Sequence, residues 1–459
     1  LHASFAGDPR SLYLQLLGSQ GVGYAAYLDL GDVQVASVSP ERFFSIEGRR
    51  VSMRPMKGTR PRGRWPAEDV GLRDELQSSD KDRAENLMIV DLIRNDIGRI
   101  ATTGSVSVDS LFAIEEYRTV WQMTSEVAAT LRSDVDLVDV FSALFPCGSV
   151  TGAPKPSTMA IIAASEPARR GVYCGAIGMI PPGDGLDGSS FSVAIRTAVV
   201  DPGEGRVTYG VGGGVTWDSH AEGEYREALA KASTLAPDRP VPGLFETVRY
   251  DGGWVLLDEH LDRLEWSAVR HGITFDRAEA MGLLEAAIDG IGHAVRVRLV
   301  VERQTAMSLT VDDAPDRFAM APGPAPDEVG LAIDDDPVDP ADRTLYVKTT
   351  DRLRYEERRR RWPGADDVLL INRAGFVTES TIANVAALID GTWYTPPVCD
   401  GLLPGILRSK LVEDGLLVER SILVADVLAA DGIALVNSVR GWRPAHIERS
   451  PSAWAVELR

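Results

Sequence analysis

The chain has 459 residues, 44% of them apolar and 25% charged, with a formal net charge of −19. That length and balance suit two to four folded domains, and the acidic surface argues against nucleic acid or an anionic membrane as a partner. Cys147, Cys174 and Cys399 are too scattered for a metal-type pair or a disulfide framework, and no run of 18 or more apolar residues marks a transmembrane helix, so the expected compartment is the cytoplasm.

In chain order, the first stretch of interest is "SMRPMKGTRPRG" (52–63), which sets Lys57 among Arg54, Arg60 and Arg62. A solvated basic loop is the plain reading. The sharper one is a nucleophilic amine whose pKa is lowered by cationic neighbours. "SDKDRAENLMIVDLIRNDIGRI" (79–100) predicts an amphipathic helix with Met88, Leu92 and Ile93 as its apolar stripe. Asp82 and Glu85, three apart, share a face of it. "FPCGSVTGAPKPSTMAII" (145–162) runs from a turn-rich loop into a helix and offers amide and hydroxyl donors to a carboxylate. "SVAIRTAVV" (192–200) alternates like one strand with Arg196 inside it, which asks for an anionic partner or a structural salt bridge. "YGVGGGVTWDS" (209–219) places three glycines in a row, as a tight bulge or a close backbone approach requires. Residues 221–235 predict a second helix with Glu224 and Glu227 on one face. The two acidic pairs together suit a hard cation such as Mg²⁺, although either pair alone is more often a solvated surface face.

"APDRPVPG" (236–243) is a Pro-rich linker by composition, and "APGPAPDE" (321–328) divides the second half of the chain again. The expected domains are 1–235 and 244–459, the latter with lobes at about 244–320 and 329–459. "LFETVRYDGGWVLLDEHLDRL" (244–264) reads as strand, turn, strand and helix, with Arg263 on the helix. Lys348 ends a strand-like run, "TLYVK", and Arg358 to Arg361 read as a solvated helix face. Glu379, Ser380 and Asn384 come after another strand-like run. "CDGLLPGILRSKL" (399–411) is a Gly/Pro loop feeding a helix, a natural phosphate site, and "VNSVRGW" (436–442) adds Ser438.

In the first half, "SPERF", "RPMKGTRPRG", "KDRAENLMIVDLIRND", "FPCGSVTGAPK", "GAIG", "AIRT", "GVGGGV" and "EGEYREALAKA" occur in that order. Together they resemble the chorismate-utilising enzymes, most closely the aminodeoxychorismate synthases. The resemblance implies an α/β sandwich. It implies that Lys57 attacks chorismate at C2 while the C4 hydroxyl departs, that Glu41 is the acid–base group, and that ammonia then enters at C4. It implies Mg²⁺ on Glu85 and Glu227, with Asp82 and Glu224 in support. Arg196, Tyr173, Thr151 and the backbone at Gly213 would hold the substrate carboxylates. Gln122 stands where relatives often have histidine. The start at Leu1 is read as partway into that fold, on the order of a hundred residues short of its usual size, so the synthase half is expected to be weak. No G-x-C-x-G nucleophile elbow surrounds Cys147 or Cys174, which implies a separate glutamine amidotransferase subunit as the ammonia source.

Residues 243–445 resemble the fold-type IV pyridoxal-phosphate enzymes, within them most closely the aminodeoxychorismate lyases, and this implies a two-lobed fold. It implies that Lys348 carries pyridoxal phosphate and moves protons, that Glu379 keeps the pyridine nitrogen protonated, and that Arg263, the amides of Ile406 and Leu407, and Ser438 hold the phosphate. Enzymes of this type are usually dimers, so a homodimer through the C-terminal half is expected. The whole then reads as a bifunctional enzyme that makes 4-aminobenzoate from chorismate and ammonia. The alternatives are an anthranilate synthase-like domain fused to a D-amino-acid or branched-chain aminotransferase, and a partly inactive remnant.

Overall fold

The computed structural model describes residues 1–20, 23–183, 185–217, 219–232, 235, 241–303, 306–315, 317–323 and 328–449. Most of the Pro-rich linker, 236–240, and residues 324–327 of the second break lie outside them. The chain divides into two compact units, Leu1–Gly63 with Ala67–Arg239, and Arg64–Pro66 with Pro240–Arg459.

The first unit holds two antiparallel sheets. One has five strands in the order His2–Ser4, Arg206–Tyr209, Thr197–Asp201, Gln34–Ser39 and Tyr24–Asp29. The other has seven, with Met56–Pro61, Val120–Thr130, Arg50–Arg54, Arg42–Glu47, Ser190–Val193 and Ala176–Met179 in order, and Ser107–Glu116 also paired to Val120–Thr130. The helix Asp80–Gly98 covers the larger sheet. Ser79 caps it by accepting from the Asp82 amide, and Asp80 and Asp82 in its first turn oppose the positive end of the helix dipole. Its buried apolar face is Ile89, Val90, Ile93 and Ile97, which pack on Phe43, Ile46, Val51, Met53 and Val127. The expected stripe was turned by about one residue: Met88 is 46% exposed. Asn86 and Asp96 are buried on the inner face instead, so apolar spacing alone misjudged its centre.

The run 192–200 is not one strand. Ser190–Val193 belongs to the larger sheet and Thr197–Asp201 to the smaller, and the chain crosses between them through Arg196 at φ +49°. A side chain in the left-handed region interrupts any strand.

In the second unit, Gly243–Tyr250, Val295–Glu302 and Ser308–Asp313 form a three-stranded antiparallel sheet, packed against the helices Leu257–His271 and Arg277–Ala287. The predicted second strand of this region is only a bridge between Tyr250 and Trp254. A nine-stranded mixed sheet comes next. Six of its strands close on themselves: Asn384–Ile389, Gly432–Asn437, Gly441–Arg449, Val329–Ile333, Asp367–Ile371 and Phe376–Ser380, the last returning to the first through Glu379 opposite Asn384. Closure removes the open edges that a flat sheet of this size would expose. The first unit is therefore built on two antiparallel sheets, and the second on a three-stranded sheet followed by a closed six-stranded barrel.

Two local expectations fail here. "TLYVK" is not a strand: Arg343–Tyr346 is a 3-10 turn, and Asp342 caps it by accepting from the Thr344 amide. The arginine run is not simply a solvated face either. Arg358 is buried and pairs with Asp334 at 3.0 Å, and Arg361 reaches the same carboxylate at 2.5 Å. Among the described residues no single helix is long and apolar enough to cross a membrane.

Candidate functional sites

Lys57 lies in the strand Met56–Pro61, where the pairing slips between Met56 and Thr59. Gly58 at φ +86° makes that bulge, and a Cβ there would stand 2.9 Å from the Cβ of Asp82. Gln122 fastens the bulge: its Nε2 donates to the Gly58 carbonyl at 2.8 Å, and its Oε1 accepts from Thr59 at 3.0 Å. The three arginines near Lys57 in sequence each have a carboxylate partner. Arg54 pairs with Glu115, Arg60 with Glu75 and Asp82, and Arg62 with Asp69. The charges that Lys57 acts on are instead two carboxylates, Glu41 and Glu85.

Glu41 is 3% exposed, and its Oε1 has no hydrogen-bond partner. Burial pushes its pKa up to about 7, against the opposing pull of Ser149 and Lys57. Burial also raises Glu85; Lys57 opposes this, and the like charges of Asp82 and Glu224 add to it. Asp82 is held by Arg60 at 3.0 Å. Glu224 accepts from Ser219 at 2.6 Å through Oε1, while its buried Oε2 is unpartnered. Glu227 pairs with Lys231 at 2.6 Å. Among the described residues, no three His, Cys, Asp or Glu side chains converge as metal ligands.

The glycine run is explained by what each member touches. A Cβ would stand 2.2 Å from the Tyr173 ring at Gly210, 3.2 Å from the Tyr173 hydroxyl at Gly212, 2.6 Å from Glu224 Oε2 at Gly213 and 3.0 Å from Lys57 Nζ at Gly214. The loop thus lies against Tyr173, the acidic helix and the lysine, and at Gly210 the Tyr173 ring leaves no room for a side chain. Arg196 is lowered below its usual value by burial, with Tyr209 and Tyr117 opposing. The Thr151 hydroxyl donates to the Cys147 carbonyl at 2.9 Å within its own short turn.

The second unit gathers a tighter constellation. The Phe245 amide donates to the Lys348 carbonyl at 3.0 Å, which ties the lysine to the strand Gly243–Tyr250. Its Nζ stands 3.6 Å from Glu246 Oε2. Arg263 donates to Glu246 through Nε and Nη2, both at 2.8 Å, and through Nη1 to the Pro404 carbonyl at 2.8 Å. His260 joins Glu246 to Ser438, with 2.7 Å on each side. Burial alone would raise Glu246, but Arg263, Lys348 and His260 hold it well below the carboxylate range. Burial lowers Lys348 to about 8; Glu246 works against this, and Arg263 and Arg352 with it.

Glu379, at the barrel seam, accepts from the Tyr355 hydroxyl at 2.8 Å and from the Leu403 amide at 3.1 Å. Burial lifts it to about 7 despite these bonds. Asn384 donates to the Leu403 carbonyl at 2.9 Å, and a Cβ on Gly405 would meet Asn384 Oδ1 at 1.8 Å. Gly405 is the N-cap of the helix Ile406–Glu413, with no side-chain cap, so the first amides of that helix are available to an anion. The structure thus sets Lys348, Arg263 and Ser438 around Glu246, and ties Arg263 to the segment that opens at Ile406 and Leu407. The sequence reading missed Glu246, His260 and Tyr355. The signal for Glu246 was present: an acid inside the apolar strand "GLFETV" is buried and needs cationic partners.

Comparison with known proteins agrees with this division. The profile of the chorismate binding enzymes matches residues 1–237, and that of the class IV amino-transferases matches residues 243–447. An aminodeoxychorismate synthase from Streptomyces griseus is 46% identical over 243 residues, 51% of this chain and 33% of the relative. An anthranilate synthase component 1 from Aquifex aeolicus is 42% identical over 231 residues, 50% of this chain and 46% of the relative. The chain therefore spans less than half the length of either. Among solved structures, a 4-amino-4-deoxychorismate lyase from Pseudomonas aeruginosa is 25% identical and covers 45% of this chain and 82% of its own, with a TM-score of 0.38.

Proposed function

The chain belongs to the chorismate binding enzymes, and from that premise we propose that it carries out two consecutive steps toward 4-aminobenzoate. In the first, chorismate and ammonia give 4-amino-4-deoxychorismate and water. In the second, that product loses pyruvate. The observation that carries the reading is Lys57, aimed by the Gly58 bulge toward Gly214 and acting on Glu41 and Glu85.

In the first unit, the amine of Lys57 attacks ring C2, and Glu41 gives a proton to the departing C4 hydroxyl. With a value of about 7, Glu41 is half protonated at neutral pH, which suits an acid that must lend a proton there. Ammonia then bonds at C4 and Lys57 leaves from C2. Tyr173, Arg196, Thr151 and the backbone at Gly213 hold the substrate's carboxylates. The acidic groups fit Mg²⁺ in chemistry: Glu224 has an orphaned buried oxygen, and Glu85 is raised by burial and like charge. Glu85 and Glu227 would hold the ion, with Asp82 and Glu224 behind them, and a divalent cation there supplies positive charge for the ring carboxylate.

In the second unit, the residues fit pyridoxal phosphate: a buried lysine, a buried carboxylate at the barrel seam, and a glycine-opened helix start beside an arginine. Lys348 would attach it, Glu379 would face the ring nitrogen, and Arg263, Ser438 and the amides of Ile406 and Leu407 would hold the phosphate. When bound, the cofactor supplies an electron sink. Lys348, close to half neutral at pH 8, takes the proton from C4 of the substrate; pyruvate departs from C3, and the ring becomes aromatic. His260 and Glu246 keep Ser438 and Arg263 in place.

The reading also includes a separate glutamine amidotransferase subunit as ammonia source, supported by a relative designated component 1. It includes a homodimer through the second unit and a cytoplasmic setting, which three free cysteines suit. Because an anthranilate synthase is nearly as similar as an aminodeoxychorismate synthase, product analysis is the deciding test. Chorismate, ammonium, Mg²⁺ and pyridoxal phosphate are supplied to the purified chain, and products are read by fluorescence and chromatography. Equal amounts of 4-aminobenzoate and pyruvate support the reading; anthranilate overturns it.

A further inference from the structure

Resting on the cofactor reading of the second unit, we infer that Arg298 and Arg352 form a paired guanidinium site for a substrate that carries two carboxylates. Thr247 pairs with Arg298 and Phe245 with Val300 across the two strands, so Phe245 and Arg298 are diagonal neighbours on one face. The Arg298 guanidinium lies 3.8 Å from the centre of the Phe245 ring. Lys348 Nζ lies 5.3 Å from that centre and the Arg352 guanidinium 6.0 Å, with Arg352 also 4.4 Å from the Tyr355 ring. Three cations therefore meet around one aromatic ring, and one of them is the lysine of the reaction.

Neither of the two arginines meets a counter-charge among the described residues. Among the described residues, Arg263, Arg354 and Arg358 of this unit each have a carboxylate partner, whereas neither Arg298 nor Arg352 forms an ion pair. Arg352 donates to the Thr381 carbonyl. The nearby acids are already committed: Glu246 to Arg263 and His260, Glu379 to Tyr355 and Leu403. Burial and the charge of Arg352 both push Arg298 below its usual value, a repulsion that a bound anion would relieve. A guanidinium laid on an aromatic ring keeps its in-plane N–H groups free for a carboxylate and holds them in a fixed orientation. Two guanidinium groups without acids of their own can give each of two carboxylates a separate partner. The amino-chorismate of the proposed second step carries two, whereas a branched-chain amino acid carries one.

The test uses the holoenzyme and two ring carboxylates as probes, isophthalate with two groups and benzoate with one, by isothermal titration calorimetry. The wild-type chain is expected to bind isophthalate about ten-fold tighter than benzoate or better, as one added charge-assisted pair implies. Arg298→Gln and Arg352→Gln should each remove that preference, and Arg298→Lys, which keeps charge but loses the planar fork, should retain part of it. Equal binding of the two probes by the wild type overturns the inference without reference to any variant; so does an unchanged preference in both Gln variants. Borohydride trapping of pyridoxal phosphate on Lys348 is run alongside. Failure to trap it in the wild type overturns the cofactor reading instead.

Discussion

Lys348 Nζ stands 3.6 Å from Glu246, a carboxylate 1% exposed that also holds both Nε and Nη2 of Arg263. This one acid therefore sets the charge of the lysine and the orientation of the arginine. Glu246→Gln removes the anion that keeps Lys348 from falling further, so the midpoint for cofactor attachment should move below pH 8. In the wild type, borohydride-trappable attachment should rise as pH climbs toward 8 and level off above it, as the neutral amine accumulates. The variant should also be less stable by about 2–3 kcal/mol, because charge-assisted bonds to Arg263 become neutral ones. An unchanged pH midpoint would remove Glu246 from this role.

Glu379 is held by Tyr355 and Leu403 at the barrel seam. Glu379→Gln should leave the cofactor attached to Lys348, since the two groups are separate, but slow pyruvate release by on the order of 10²-fold or more. Tyr355→Phe removes one of the bonds to Glu379 and should cause a smaller loss. Absorbance of the bound cofactor, measured beside single-turnover pyruvate release, separates attachment from chemistry.

Lys57→Ala should abolish amination while chorismate still binds. Glu41 must be protonated to act, and its value is about 7. Amination should therefore fall about ten-fold per pH unit well above that value, and Glu41→Gln should lose this limb of the profile along with most of the rate. A Lys57→Ala protein with the wild-type rate would reduce the lysine to an electrostatic feature.

Removing divalent cations with a chelator should stop amination and leave pyruvate release intact, because the acidic helix and the cofactor lysine lie in different units. Glu85→Gln should raise the Mg²⁺ concentration required for half-maximal amination, a neutral amide being the weaker ligand. Loss of both activities on chelation would contradict this division.

Asp334 is fully buried, accepts from Arg361 and Trp362, and forms an ion pair with Arg358 at 3.0 Å. Asp334→Ala would leave a buried guanidinium without that carboxylate, with a cost of about 3–5 kcal/mol to the second unit. Chemical denaturation followed by Trp fluorescence would measure it. A surface arginine run would instead tolerate the change within about 0.5 kcal/mol.

The motifs carried a good deal of this molecule. They singled out Lys57, Glu41, Lys348 and Glu379 as candidates because short, ordered blocks surround each of them, and the Gly-rich loop and helix at 399–411 were legible from composition. The helix Asp80–Gly98 was also legible from its apolar period, although its Ser79 cap was seen only in the structure. The single strand at 192–200 and the strand at "TLYVK" were misread. Alternation of apolar residues records which side chains are buried, but not that the chain changes sheets at Arg196 or tightens into a 3-10 turn before Lys348.

By itself the sequence determined the residue types, the order of the motifs and the local backbone at the glycines, because these depend on neighbours along the chain. Only the tertiary structure decided which charges meet. It paired Arg54, Arg60 and Arg62 with acids from other elements, leaving Glu41 and Glu85 as the groups that sense Lys57. It brought Glu246, His260, Arg263 and Ser438 together from segments up to 192 residues apart (438 − 246). The physical reason is range: backbone preference acts over a few residues, whereas Coulomb attraction and burial act through space, between groups that only the folded chain makes neighbours.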